Sequence, residues 1–339
     1  MSDDFIFDEE LSSNIANLIV KHSSASFLFY GIEGIGKKSM ASIITNNLLN
    51  LHENNFNEIR SNPLKLIKNI RYNSKEENLF FNNTHPDYYL LVSEDHKKIS
   101  VDETRKLNHF FHNTKSISNV KVVIIDGIED LTLSATNMIL KLLEEPPENT
   151  YIFIISNKQS NLLKTVNSRL FKFYFKPLKK DEFLRILSNF KNFNLSSDEI
   201  ELACDIYCCS PGLAKKYYDK NLYSNYLNCL DYFVKSLKDK NFEGVYDFIK
   251  SKDNLKDEYN LVRIINRIVK NLLIFESEKT LIDGITNHEK KLIASMSQND
   301  KCDNLYEKYV NLQKDLYHSE QLNVNKFDII DNFIKSLNY

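Results

Sequence analysis

Four β-branched apolar residues in a row, Val122 to Ile125, are followed at once by Asp126. A run with no polar residue has no face for water, so it predicts a strand buried on both sides of a parallel sheet. The aspartate then stands at the carboxyl end of that strand, where open α/β sheets carry their ligand chemistry. A helical stretch from Leu133 to Glu145 follows and stops at Pro146-Pro147, because proline lacks the amide donor and restricts the residue before it. Tyr151 to Ser156 is a second buried strand.

The same alternation extends to both sides. Residues 1–25 read as a helix with Leu11, Ile15, Leu18 and Ile19 on one face, and Phe27 to Tyr30 as a strand. His85-Pro86-Asp87 is a turn leading into a strand at Tyr88 to Val92, and no second ligand-type residue stands near His85 at metal spacing. Val101 to Asn113 is an amphipathic helix, and Phe171 to Phe175 a last strand. Residues 51–83 are polar and irregular, with a helix expected around 64–71. After Pro177 the alternation ceases. Leu213 to Tyr339 contains no proline and two glycines, Gly244 and Gly284, which predicts an all-helical region. The fold class is therefore α/β plus all-α.

The strand at Phe27 runs straight into GIEGIGKKSMA, where Gly31 and Gly36-Lys37 have the spacing of a phosphate-binding loop, with Gly34 between them. Glycines let successive N–H groups point at phosphate oxygens, and the lysine meets the β and γ phosphates at a helix start. Only seven glycines occur in 339 residues, which makes a chance match rare. The next position, where a hydroxyl would hold Mg²⁺, is Lys38, and Ser39 comes one residue late. The residue after Asp126 is Gly127, where a hydrolase has the glutamate that polarises water. For Asp126 two readings stand, a water-mediated Mg²⁺ contact or a loop cap, and Glu129 is expected in solvent. Asn157, after the second central strand, reads either as a γ-phosphate sensor or as a loop amide.

Composition excludes several classes. Charge is nearly balanced, 44 basic against 46 acidic residues, so net charge does not drive nucleic-acid binding. Lys158 to Lys191, with nine basic and two acidic residues, is the local exception. No apolar run approaches the ~18 residues of a membrane helix, and the start, MSDDFIFDEEL, is acidic where a signal peptide is basic. A cytoplasmic protein with no membrane contact is expected. Cys204, Cys208, Cys209, Cys229 and Cys302 form no CxxC pair, so neither zinc nor disulfides are expected, and they read as buried hydrophobes.

Taken together, VVIIDGIEDLTLSATNMILKLLEEPPENTYIFIIS, the following SRL, THPDYYLL, GIEGIGKKSMA and SPGLA resemble the delta-prime family of bacterial DNA polymerase III clamp-loader subunits. The likeness covers residues 25–215 and is most specific at NMILKLLEEPP; beyond that it rests on length and helicity. It implies an AAA+ fold: a RecA-like domain with a degenerate phosphate loop over 1–176, a small helical lid over 177–222, and a helical collar over 223–339. It also implies a five-member ring with motor (tau/gamma-type) and wrench (delta-type) subunits, acting on primer-template DNA.

The resemblance gives Arg169 the role of an arginine finger, offered in trans to the motor subunit's ATP. The family's Ser-Arg-Cys motif reads Ser-Arg-Leu here, with Leu170 in the third place. Members of the family that bind ATP carry a lid arginine, which Ser210 to Ala214 lacks. The four-cysteine zinc module of many members has no counterpart, since residues 1–203 hold no cysteine. The expectation is a subunit that requires no cofactor. If ATP or ADP binds at all, it binds at Gly31, Gly34, Gly36, Lys37, Lys38, Ser39, Asp126 and Asn157. The alternative is a motor subunit that hydrolyses ATP itself.

Overall fold

The structure is a computed structural model and describes residues 8–51, 56–68, 70–93, 98–144, 146–157, 170–190, 195–250, 257–278, 289–290, 304–322 and 324–337. The chain divides into two compact units, Met1–Leu178 and Lys179–Tyr339.

In the first unit, helix α1 (Glu9–Lys21) begins where the Asp8 carboxylate accepts the Leu11 N–H at 2.9 Å, with Glu9 and Glu10 favouring its positive end. It ends four residues earlier than the periodicity suggests. The chain turns at His22 into strand β1 (Ala25–Gly31). Helix α2 (Lys37–Leu49), α3 (Phe56–Ser61) and α4 (Lys75–Phe81) lead to β2 (Tyr88–Val92) and α5 (Val101–His112). Then come β3 (Lys121–Asp126), α6 (Leu133–Glu144), β4 (Thr150–Ser156) and β5 (Phe171–Phe175).

The strands form one parallel sheet in the order β2-β3-β4-β1-β5. Alternate residues supply two cores. Phe27, Phe29, Val122, Ile124, Phe153 and Ile155 pack with α1 and α2 residues such as Ile15, Met40 and Ile44. Leu28, Val123, Ile125, Ile152 and Ile154 pack with Leu107 and Phe111 of α5 and Ala135 and Ile139 of α6. The uninterrupted apolar strands are explained by this double burial.

The irregular segment after α2 is more ordered than its composition suggests. A 3-10 turn, Pro63–Ile67, replaces the helix expected at 64–71, and α3 and α4 flank it. The segment is stitched to α2 by buried amides. Asn47 Nδ2 donates to the carbonyls of Leu66 at 2.7 Å and Lys68 at 2.9 Å, and Tyr72 donates its hydroxyl to Asn47 Oδ1 at 3.0 Å. Asn46 donates to Glu77 Oε1 at 3.3 Å, and Ser74 donates to Asn50 Oδ1 at 2.6 Å.

At the amino end of the sheet, Asp87 is fully buried and its carboxylate accepts the N–H groups of Ser116, Ile117 and Ser118 at 2.8, 2.7 and 2.8 Å. His85 Nδ1 accepts the Asp87 N–H at 3.1 Å, which leaves the proton on Nε2, 3.4 Å from Ser118 Oγ. Ser118 donates to the Leu49 carbonyl at 2.8 Å, so this serine, histidine and aspartate tie loops together and form no nucleophile.

The second unit is helical among its described residues: α7 (Lys180–Leu187), α8 (Ser197–Ile206), α9 (Pro211–Tyr217), α10 (Leu222–Asp239), α11 (Glu243–Lys250), α12 (Glu258–Glu278), α13 (Leu305–Leu322) and α14 (Lys326–Ser336). The break expected at Ser210-Pro211-Gly212 falls just before it. Helix α8 ends in a left-handed turn at Cys208 with Cys209 N–H donating to Cys204 O at 2.8 Å, and Pro211 opens α9. That turn leaves Cys204, Cys208 and Cys209 half-buried, a correction to the expectation of buried cysteines; Cys229 is fully buried.

Inside this unit Arg267 reaches Glu289 through Nε at 3.0 Å and Nη2 at 2.9 Å, and Asp205 through Nη1 at 2.6 Å. Tyr226 and Asn271 also donate to Glu289. No helix among the described residues is long and apolar enough to cross a membrane.

Candidate functional site

Because every strand runs the same way, the loops after β1, β3 and β4 leave one edge of the sheet. The register sets Tyr30 beside Ser156 and Asp126 beside Ile155, which brings the glycine loop, Asp126 and Asn157 to that edge.

Gly31 has φ 148° and an added Cβ would stand 2.4 Å from the Phe175 carbonyl oxygen, so only glycine fits against β5. Gly36 caps α2 in the left-handed region at φ 104°, and Gly34 also has positive φ. The loop thus has the backbone of a phosphate cradle. Lys37 is buried, and its Nζ donates to the carbonyls of Gly31 at 2.9 Å and Ile32 at 2.5 Å. Burial pulls its pKa down to about 8, against the opposing pull of the carboxylates of Glu129, Asp126 and Glu33.

Lys38 lies across the loop from β3 and its Nζ is 2.9 Å from Asp126 Oδ2. Ser39 is half-buried on the first turn of α2. A divalent cation fits this set poorly: the position for a hydroxyl ligand carries an ammonium, and the strand-end carboxylate is already paired with it. Gly127, at φ 90°, places no side chain toward water.

Glu129 is the residue that sequence reasoning put in the wrong environment. The left-handed turn at Gly127 folds a 3-10 turn, Ile128–Asp130, back on the sheet edge. Glu129 Oε1 accepts the Asn157 N–H at 2.8 Å, while Oε2 is buried with no hydrogen-bond partner among the described residues. Asn157 enters through its main chain and its side chain is exposed. The glycine two residues before Glu129 was the available signal.

Ser168 and Arg169 lie outside the described residues, as does most of the basic segment from Lys158. The structure resumes at Leu170, 8% exposed in the sheet's core, immediately before β5.

A parallel sheet in this order, with a glycine loop and helix after the inner strand and a helical unit following, defines the AAA+ class of phosphate-loop proteins. Within that class the chain belongs to the family described as DNA polymerase III, delta subunit, whose model matches residues 8–179, just over half of the 339. The chain is 29% identical to DNA polymerase III subunit delta' of Buchnera aphidicola subsp. Schizaphis graminum over 243 residues, 71% of this chain and 66% of that protein. Similarity to the Pseudomonas aeruginosa subunit delta' is 32% over 170 residues, 50% of this chain and 48% of the relative.

The Escherichia coli K12 subunit delta' is 33% identical over 132 residues, 39% of each chain. The matched stretches thus span less than two thirds of these relatives' own length. A solved DNA polymerase III gamma subunit-related protein of Thermotoga maritima covers 97% of this chain and 98% of its own, with a TM-score of 0.44 at 16% identity, too low to carry an argument.

Proposed function

We propose that this chain is a non-hydrolysing, cytoplasmic clamp-loader subunit of the DNA polymerase III holoenzyme. It serves as a scaffold in a five-member ring with motor (tau/gamma-type) and wrench (delta-type) subunits that load the sliding clamp on primer-template DNA. Residues 177–222 act as the lid and 223–339 as the collar. The observation that carries the reading is the Lys38–Asp126 pair beside Gly127, in a chain whose family assembles around polymerase III. Such an edge has neither a place for Mg²⁺ nor a group to polarise water. The subunit requires no nucleotide or zinc of its own.

Its chemical contribution is made across an interface. Arg169 follows the masked-off loop after β4 and stands one residue before the anchored Leu170, so the rigid sheet carries it. A guanidinium in that role stabilises charge on the phosphoryl group transferred in the neighbour's site. In a loader reconstituted with Arg169→Ala, DNA-stimulated ATPase of the motor subunits falls by about 10³-fold or more at the site it faces. Unchanged ATPase and clamp loading would remove the finger from the proposal. Turnover of MgATP by the isolated chain would remove its non-hydrolysing character.

A further inference from the structure

The quiet edge of the sheet is filled rather than merely eroded. Two ammonium groups, Lys37 and Lys38, face two carboxylates, Asp126 and Glu129, and the site is close to neutral before any ligand arrives. A working phosphate loop is the opposite case: backbone N–H groups and a lysine leave it positive, and a divalent cation comes in with the polyphosphate. Here the Lys38 ammonium stands on the strand-end aspartate at 2.9 Å, the place from which that cation would be held.

We infer that Lys38 is a tethered replacement for the divalent cation and the residue that keeps the metal-bound nucleotide out of this loop. The inference deepens the non-hydrolysing reading above and rests on it. Three observations support it. The loop's backbone is still that of a phosphate cradle, with Gly31, Gly34 and Gly36 all at positive φ, so the frame is not what excludes the ligand. Lys37 is turned onto the loop's own carbonyls of Gly31 and Ile32. Asp126 is satisfied by an ammonium half exposed to solvent, a contact that side-chain replacement removes without disturbing the core.

The physical reason is like-charge exclusion. A divalent ion brought to Asp126 meets the Lys38 ammonium within a few ångströms, and that repulsion is unscreened on so short a scale. Threonine at 38 removes it and supplies a hydroxyl oxygen for the ion. Methionine at 38 removes the charge and supplies nothing.

The test is calorimetric titration of the full chain and its Lys38→Thr and Lys38→Met variants with ADP, in Mg²⁺ and in EDTA, with circular dichroism showing each variant folded. The parent binds in neither condition. Lys38→Thr gains binding that depends on Mg²⁺ and is at least about tenfold tighter than that of the parent or Lys38→Met.

A folded Lys38→Thr that binds no better than the parent overturns the inference, as does MgADP binding by the parent. Equal gains by both variants without Mg²⁺ overturn the cation role. Failure of the subunit reading is registered elsewhere, in the reconstituted loader carrying Arg169→Ala, so the two cannot be confused.

Discussion

Two clusters of opposite charge, one at the carboxyl edge of the sheet and one inside the helical unit, differ in how much water reaches them. Lys38 and Asp126 keep 50% and 22% of their side-chain surface, whereas Arg267 keeps 6% and Glu289 none. Burial works against the Arg267 charge, yet the hydrogen bonds from Glu289 and the nearby Tyr226 and Asp205 hold its pKa above the ordinary arginine value. Water can replace either partner of the first pair. Nothing can replace either partner of the second, so the same chemistry is adjustable in one place and architectural in the other.

The largest effect should come from breaking the buried cluster. Arg267→Met strands the Glu289 carboxylate away from water and lowers the stability of the helical unit by about 3–5 kcal/mol, read from urea denaturation followed by circular dichroism. Adding Glu289→Leu should recover most of that loss. A single variant as stable as the parent would make the cluster ornamental.

Acidity tests the sheet edge more gently. Lys37 releases its proton near pH 8 when folded and near 10.5 when unfolded. Across that window the unfolded chain holds the extra proton, so stability rises with pH; Lys37→Met abolishes the rise. Burial likewise keeps His85 below its ordinary 6.5, so stability falls as acid takes the pH down through 6.5 and below. Urea midpoints at constant ionic strength measure both limbs. Smallest of all, Lys38→Ala should cost less than about 1 kcal/mol, because the pair it breaks is open to solvent. A larger loss would put the two clusters in one category.

The sheet was legible in the sequence because a strand buried on both faces has to be continuously apolar, as Val122 to Ile125 and Tyr151 to Ser156 are. The glycine loop and Asp126 could be placed at one edge for the same reason: parallel strands put their ends together. What escaped is what depends on partners far along the chain. Asn46, Asn47 and Asn50 look like loop-forming residues until the carbonyls of 65–70 come down on them. Arg267 sits in a run that reads as an ordinary amphipathic helix, and only Glu289, 22 residues on, makes it an interior residue. Glu129 was misplaced because spacing along a chain does not reveal a left-handed turn at Gly127.

Gly31 has a consequence for how such chains diverge. Its missing Cβ makes room for the carbonyl of Phe175, so it is held in place by a neighbouring strand as well as by any phosphate. Selection on the sheet alone would retain it long after the loop had stopped meeting nucleotides. In a degenerating site of this kind the first glycine is therefore a record of packing, and the history of ligand binding is written at position 38 instead.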